Sequence, residues 1–553
     1  MTKRVLIGVL ILFIFTYMGC HKAEPQRDFP KLPSLHITMT SSQLDSIIND
    51  QDNKVSVFAM IINASGDTLY EGDLTHIKTR GNTTFKESKK SFAIKLPYKQ
   101  SLLGLKKSKS FILLANSCDE SHIRNAIGLD LAHAFGIPAP NYAYLTLYIN
   151  NSYMGLYQIT NKVDVGKNAL NITDLGQLNK KANPKPLEEY EWYGQGRKKQ
   201  AIQRKGVILD KNPDDITGGY LLDNCGPITQ YSKSISGFVS NADDNIRIRS
   251  PKYASPQEVD YIAKRYNEME GAILSPDGIH PKTGKHYSEY IDVESFARYY
   301  LLNEILRNTD GGWASFMMYK DSDSIDPMIY AGPAWDFDRT LDNPTFQHDV
   351  IVPYNEFYVD GKKGKTGVAH SGGLFYHLCQ HKDFQQKVKN CYLNTISPIC
   401  HSYLEKSPFD SIASFIFHEA DLDNMTNNIR YSLNYEATTI RVTDFLRKRI
   451  EFFDWFYSSD EDERIIVNYI DKNWKKHKFY YPTGKAIDAP LLEVQYNQSP
   501  VYEYFYEGTD SIVSKGTVFQ SSQNLELRKR EPTKREVLER RIRKKLAKIG
   551  INL

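Results

Sequence analysis

Three aspartates stand where a phosphoryl group could be handled. Asp310 follows an apolar periodic stretch, and Asp336 and Asp338 flank Phe337 in Trp335-Asp336-Phe337-Asp338. Phosphoryl transfer requires hard oxygen ligands for a divalent cation and a carboxylate that orients or deprotonates the accepting hydroxyl, so these carboxylates suffice in number. Upstream, Arg80-Gly81-Asn82-Thr83-Thr84-Phe85 makes a compact turn. Lys89-Lys90-Ser91-Phe92-Ala93-Ile94-Lys95-Leu96 follows as a strand in which cations flank an apolar run. Lys95 then projects from a rigid strand, where an ammonium can neutralise nucleotide phosphates while N–H groups of a glycine-containing turn approach them. Taken singly, D-x-D also describes caps and turns, and a strand lysine also describes a solvated edge. His377 and His381 lie four apart on an expected helix, which is metal-ligand spacing without an evident third ligand. No G-x-S-x-G, H-E-x-x-H, P-loop or dinucleotide fingerprint occurs in a suitable context.

The elements that must position these residues change character along the chain. Residues 35–159 carry β-rich runs at 55–62, 91–96, 110–114 and 144–149, for which a mostly antiparallel sheet is the simplest account. One helix is expected to interrupt it. Asp119-Glu120-Ser121 offers caps before Ile123, Ile127, Leu131 and Phe135, and Gly136-Ile137-Pro138 is the stop. Residues 179–212 are charged, lysine-rich and weakly apolar, the pattern of a long insertion or mobile loop. Helical periodicity then occupies 293–307, 374–393 and 429–456, with short strands at 315–319 and 328–331 leading into the paired aspartates. Residues 459–463 form an acidic linker to a tyrosine-rich, strand-like end. The expected class is α+β.

The chain has 553 residues and a net charge of +4, too small for this length to support nucleic-acid binding by the body of the protein. It opens with Lys3 and Arg4, an apolar run over residues 5–15, and Gly19-Cys20. That run is too short for a membrane span, which needs about 20 apolar residues, and matches an export signal ending in a lipoprotein cleavage box. Cys20 is the expected lipidated residue of an exported, membrane-anchored protein. The other cysteines, Cys118, Cys225, Cys379, Cys391 and Cys400, are odd in number and lack paired CxxC spacing, so they describe neither a disulfide framework nor a zinc site. The 36 tyrosines suit strands and also sugar stacking. A basic tail from residue 528 carries apolar residues near helical spacing.

In order along the chain, R-G-N-T-T-F, K-K-S-F-A-I-K-L, F-I-L-L-A-N-S-C-D-E-S-H-I-R-N-A-I-G-L-D-L-A, Y-I-N-N-S-Y-M-G-L-Y-Q-I-T-N-K-V, G-G-Y-L-L, N-T-D and W-D-F-D resemble the signatures of the CotH (spore-coat protein H) kinase family. The resemblance covers roughly residues 35–456 and rests on several motifs in sequence. It implies an atypical kinase-like two-lobed fold, β-rich first and mainly helical second, that binds ATP and Mg²⁺ or Mn²⁺. It casts Lys95 as the phosphate-contacting lysine, Asp310 as the catalytic carboxylate, Asp336 or Asp338 as metal ligand, and Arg80 and Arg124 as anion contacts. Two positions depart from the family pattern: Asn161 stands where a glutamate is usual, and Gly311-Gly312-Trp313-Ala314-Ser315 where an asparagine is common. The implied layout is a signal peptide (1–20), a tether (21–34), the kinase-like domain (35–458), a β-rich region (464–527) and a basic helical tail (528–553). The implied activity is Ser/Thr phosphorylation of an exported protein, with a catalytically weak surface binding, adhesion or assembly module as the alternative.

Overall fold

The computed structural model describes residues 31–81, 84–194, 204–226, 231–312, 314–343, 354–359, 373–429, 434–470, 476–484, 501–513 and 517–530, with short pieces between 534 and 542. The expected signal peptide, Cys20 and most of the tether lie outside the described residues. Among the described residues no helix is long and apolar enough to cross a membrane.

The first strands close into a barrel, where the sequence pattern indicated only a sheet. Strands β1 (Ser34–Thr38), β2 (Val55–Ile62), β3 (Thr68–Arg80), β4 (Ser91–Gln100), β5 (Ser108–Leu114), β6 (Tyr142–Ile149) and β7 (Ser152–Asn161) follow the order β1-β2-β3-β4-β5-β7-β6. The parallel pair β1–β6 completes the closure. Alternation separates the two surfaces of its wall. Tyr157 and Ile159 of β7 join the barrel core, with Phe92, Ile94, Phe111 and Leu113. Leu156, one residue out of step, belongs to the larger core outside. Asn150 and Asn151, both at positive φ, make the tight β6–β7 turn. The Asn150 amide also bonds both backbone groups of Met39, tying that turn to the end of β1.

Two helices, not one, accompany the barrel. The first, α1 (Ser41–Asn49), carries a capping box of Thr40 and Gln43. The second is α2 (Arg124–Ala134). Its expected cap, Asp119, instead shapes the preceding turn by accepting from the Ser121 and Arg124 backbone N–H groups. A second sheet follows, which the sequence pattern only hinted at. Its strands are β8 (Trp192–Tyr193), β9 (Arg204–Val207), β10 (Tyr220–Asn224), β11 (Ser236–Val239), β12 (Asn245–Ser250), β13 (Phe316–Lys320) and β14 (Ile329–Ala331), in the order β14-β13-β10-β12-β11-β9-β8. The stretch expected to be an insertion therefore supplies α3 (Leu175–Ala182) and two strands. Most of its described charges, Lys180, Lys181, Lys185, Glu188 and Glu189 among them, are exposed, while Lys205 and Asn179 are buried with polar partners.

Helices α4 (Pro256–Leu274), α5 (Val293–Ile305), α6 (Gly373–Leu378), α7 (Lys382–Cys391), α8 (Ser397–Lys406), α9 (Pro408–Thr426) and α10 (Tyr435–Ser458) pack with α2 around the larger core. The helix expected over 374–393 breaks after Leu378, so His377 and His381 do not share a helix. His381 bonds the carbonyl of Ile273 and packs beside Tyr287. A four-stranded sheet of β15 (Arg464–Ile470), β16 (Lys476–Pro482), β17 (Val501–Tyr506) and β18 (Gln523–Arg530) ends the described chain, apart from short helical pieces beyond it.

Candidate active site

Asp310 is placed by the way α5 ends. The helix is buried on nearly every side, and its last turn closes with the paired hydrogen bonds of a Schellman motif, Arg307 N–H to Glu304 O at 2.9 Å and Asn308 N–H to Asn303 O at 2.8 Å. Arg307 takes the left-handed position usually given to glycine, at φ 47°. The Asn308 side chain then accepts from the backbone N–H of Asp310 at 3.1 Å. Gly311 follows where a Cβ would come 2.7 Å from Oδ1 of Asn303. The carboxylate of Asp310 pairs with Arg339 at 3.3 Å.

Asp336 and Asp338 arrive on the loop after β14, which is anchored by Phe337. A Cβ at Gly128 of α2 would lie 2.2 Å from the Phe337 ring, so the glycine in A-I-G-L-D-L is what lets that ring seat. The backbone N–H of Phe337 donates to Asn125 at 2.9 Å. Asp336 has φ 73° and accepts from Ser315 Oγ at 2.8 Å, and Ser315 is itself at φ 55°. Left-handed backbone at three non-glycine residues around one loop pair is the kind of strain that collects at functional sites.

The three carboxylates are close enough to act on one another's charge. Burial lifts Asp310 to about 6, with Asp336 adding to the rise and Arg339 opposing it. Asp338 is raised well above the usual carboxylate range by burial, then by Asp336 and Asp310. Among the described residues no three His, Cys, Asp or Glu side chains form a ready-made metal cage. Two carboxylates are nonetheless what a magnesium site on a nucleotide normally takes from a protein, with phosphate oxygens and water completing the octahedron.

The expected cations fall in different places. Arg80, at the end of β3, stacks on Trp335 with its guanidinium carbon 5.3 Å from the ring centroid. Burial brings its pKa down to about 10, and Asp336 is the largest opposing influence. Lys95 stands on the outer barrel face between His76 of β3 and Ser110 of β5. Behind burial and alongside Lys54 and Lys78, it helps depress His76. Arg124 is buried and occupied by Asp119 and by the carbonyls of Thr340, Leu341 and Asp342. Its geometry is that of a brace for the loop after Asp338 rather than of an anion contact. Asn161 brackets the backbone of Lys106 through bonds of 3.1 and 2.8 Å, so it closes a barrel loop and does not face Lys95.

Several residues near the cluster escaped the sequence pattern. Glu87 and Asp338 both raise the Cys118 thiol, which burial chiefly pushes up to about 12. Gln158 and Thr160 of β7 share the outward face of Leu156. The Gln158 amide and the Thr160 hydroxyl are buried without a partner. Arg247 and Arg249 of β12 act electrostatically on Arg80. The alternation N-I-R-I-R-S was the available signal for the last pair, since it puts both arginines on one face of a strand.

Comparison with known proteins bears on the same region. No match is found among curated proteins. The solved structure of a proinflammatory kinase CtkA from Helicobacter pylori is similar over 66% of this chain and 94% of that one, with 11% identity and a TM-score of 0.22, a likeness that carries no further argument. Residues 77–453 match the family model described as CotH kinase protein. That span holds every residue of the cluster just described, and on it the chain belongs to the CotH kinase protein family.

Proposed function

We propose that this chain is an ATP- and divalent-metal-dependent phosphotransferase that phosphorylates Ser or Thr of an exported partner. The observation that carries the proposal is the convergence of Asp310, Asp336 and Asp338 on two adjoining loops, one of them fastened to α2. In this reading the barrel and the helical part act as the two lobes of an atypical kinase, with the nucleotide between them. The unpartnered Gln158 amide and Thr160 hydroxyl on the barrel's outward face fit a polar ligand there, because buried polar groups are ordinarily paired. Asp336 and Asp338 would hold Mg²⁺ or Mn²⁺, and the bound cation supplies charge neutralisation for the transferring phosphoryl group. Asp310 orients the accepting hydroxyl and takes its proton. Arg339, paired with Asp310, and Arg80, on which Asp336 acts, are the cations at this chemistry, and Lys95 stands on the outer barrel face. Export, and anchoring through a lipidated Cys20, complete the proposal.

The test is calorimetry of ATP binding to the protein with and without Mg²⁺ or Mn²⁺. Metal-dependent binding is expected in the wild type, and Asp338→Ala is expected to abolish the metal dependence. Equal affinity with and without metal would remove the metal role. Binding without any transfer to exported proteins would favour the alternative of a surface binding or assembly module.

A further inference from the structure

The face of the second sheet that turns away from the larger core gathers arginines. In β10, Tyr220 and Leu222 enter that core, as do Ile246 and Ile248 of β12 and Phe316 and Met318 of β13. Alternation therefore puts Leu221, Asp223, Arg247, Arg249, Met317 and Tyr319 on the opposite face. The pairings Asp223↔Arg247 and Asp223↔Met317 confirm the register. Leu221 and Met317 form a small separate cluster against which Trp335 packs. Trp335 is the residue on which Arg80 of the barrel stacks, so Trp335 links the outer face of β3 to this face of the second sheet.

Asp223 is the counter-charge at the centre. Its side chain is 2% exposed and pairs with both Arg247 and Arg249, the latter at 3.3 Å. One carboxylate oxygen, Oδ1, and the Arg247 Nε are buried without a partner. Asp336 lies close by: burial chiefly raises the Tyr299 hydroxyl, and both Asp223 and Asp336 add to that rise. The two β12 guanidiniums thus share Asp223, and both act on the Arg80 guanidinium, whose opposing carboxylate is Asp336. A second carboxylate, Asp336, is reserved in the proposed chemistry for metal. The Arg247 and Arg249 side chains remain 29% and 26% exposed, so a ligand can reach them. Like charges held this close are destabilising when unliganded, and planar guanidinium forks are well matched to phosphate oxygens.

From this juxtaposition we infer that Arg80, Arg247 and Arg249 form an anion site for a polyphosphate chain, with Asp223 as the positioning residue that fixes the two β12 guanidiniums. The polyphosphate is the tail of a nucleoside triphosphate if the phosphotransferase reading holds, on which this inference rests for its biological ligand. Inorganic polyphosphate shares the chemistry. The site hands the chain to Asp336 and Asp338, and it assigns phosphate neutralisation to strands β3 and β12 instead of Lys95 and Arg124.

The experiment is calorimetry on the full chain with three probes: inorganic tripolyphosphate, ATP with Mg²⁺, and adenosine. The wild type is expected to bind tripolyphosphate with an affinity that falls as salt is raised. Arg247→Gln and Arg249→Gln should each weaken both phosphate probes about tenfold or more, with adenosine unchanged. Arg249→Lys, which keeps the charge and loses the fork, should fall between. Unchanged thermal melting of the variants guards against unfolding. Tripolyphosphate binding equal in wild type and both glutamine variants overturns the inference, as does a wild type that does not bind tripolyphosphate. If the variants keep their ATP affinity while wild type binds ATP with metal, the arginine site fails and the phosphotransferase reading stands. If the wild type binds tripolyphosphate, the arginine variants do not, and no phosphoryl transfer occurs on any protein, the site stands and the phosphotransferase reading fails.

Discussion

Asp310 shares its surroundings with two other carboxylates, and its charge is disfavoured chiefly by burial and then by Asp336, against the pull of Arg339. Its folded pKa of about 6 is raised from the ordinary aspartate value. A raised carboxyl pKa means that the folded protein holds the proton more tightly than the unfolded chain. The charged cluster therefore weakens the fold as pH rises through that window, and a bound cation offsets this. For catalysis the sign is opposite, because a base works only when deprotonated. Phosphoryl transfer should rise with pH on an acidic limb near 6 in the profile of kcat/KM, steeply below it and level above. Asp310→Asn should lower transfer by about 10² or more while changing ATP affinity little, since its proposed partner is the acceptor hydroxyl. A profile flat from pH 5 to 8, or a variant with wild-type turnover, would remove Asp310 as the base. The carboxylates themselves were legible in the sequence as D-x-D and N-T-D. What D-x-D does not reveal is that Asp336 needs a left-handed backbone and a Ser315 hydroxyl, which depend on a contact between two loops 21 residues apart.

At the scale of elements, barrel and helices are joined by a buried ion pair. Lys89, just before β4, donates to Asp423 of α9 at 2.5 Å and to the carbonyls of Ala115 and Leu156 at 2.7 and 2.5 Å. The ammonium is thereby fully used, and burial, its largest influence, pulls the pKa below the usual lysine range against Asp423. Gly155 of β7 makes room: a Cβ there would lie 2.1 Å from Oδ1 of Asp423. Asn424 of the same helix and Asn427 just after it reach Glu120 O and Met154 O, extending the junction. Asp423→Ala leaves a buried ammonium without its counter-charge and should destabilise the fold by about 3–5 kcal/mol in denaturant melts. Lys89→Met with Asp423→Leu should recover much of that loss, because an apolar pair avoids desolvating two charges. A single variant within about 1 kcal/mol of wild type would show that water reaches the pair.

The same junction explains what sequence alone left out. K-K-S-F-A-I-K-L correctly announced β4. Strand period cannot say which of its lysines is buried, and the buried one, Lys89, is matched by an aspartate 334 residues away. The second sheet was harder still. Its strands are short, from two to six residues, and are separated by helices and turns, so β13, β14 and the alternation of β12 were visible as short runs without showing that they share one sheet. The long helices α5 and α10, by contrast, were legible from their apolar spacing to within a few residues at most ends.

The whole molecule adds a connection between the C-terminal sheet and the loop that bears Asp310. Asn355 pairs reciprocally with the backbone of Tyr480 in β16 through bonds of 3.1 and 3.2 Å, and Glu356 bridges Phe479 in the same strand. Phe357 packs among Phe452, Phe453, Phe456 and Tyr480 at centroid distances of 4.8–5.8 Å. The Glu356 carboxylate accepts from Arg307 Nε at 3.0 Å, and its carbonyl from Arg449 at 2.6 Å. Arg307 is the left-handed residue that closes α5, and that backbone costs about 1–2 kcal/mol unless its surroundings hold it. The sheet lies beyond the residues 77–453 that define the family match, yet it touches the segment that steadies the loop of Asp310. Glu356→Gln keeps the shape and removes the charge, taking the carboxylate from Arg307 beside Arg449, which burial already brings down to about 10 and which keeps Glu304 as its partner. The expected result is faster hydrogen exchange at the amides of Arg307, Asn308 and Asp310, with transfer lowered roughly tenfold and tripolyphosphate affinity unchanged, since the arginines of β3 and β12 are not disturbed. Asn355→Ala, which removes the side-chain bond to Tyr480 and leaves the backbone bond and the ion pair in place, should reproduce the exchange effect more weakly. If Glu356→Gln speeds exchange and Asn355→Ala does not, the loop is held through Arg307 and Glu356 and the Asn355 side chain adds nothing to it. If neither variant changes exchange at those amides, the Schellman turn stands without help from outside α5, and the position of Asp310 is set by Asn303 and Asn308.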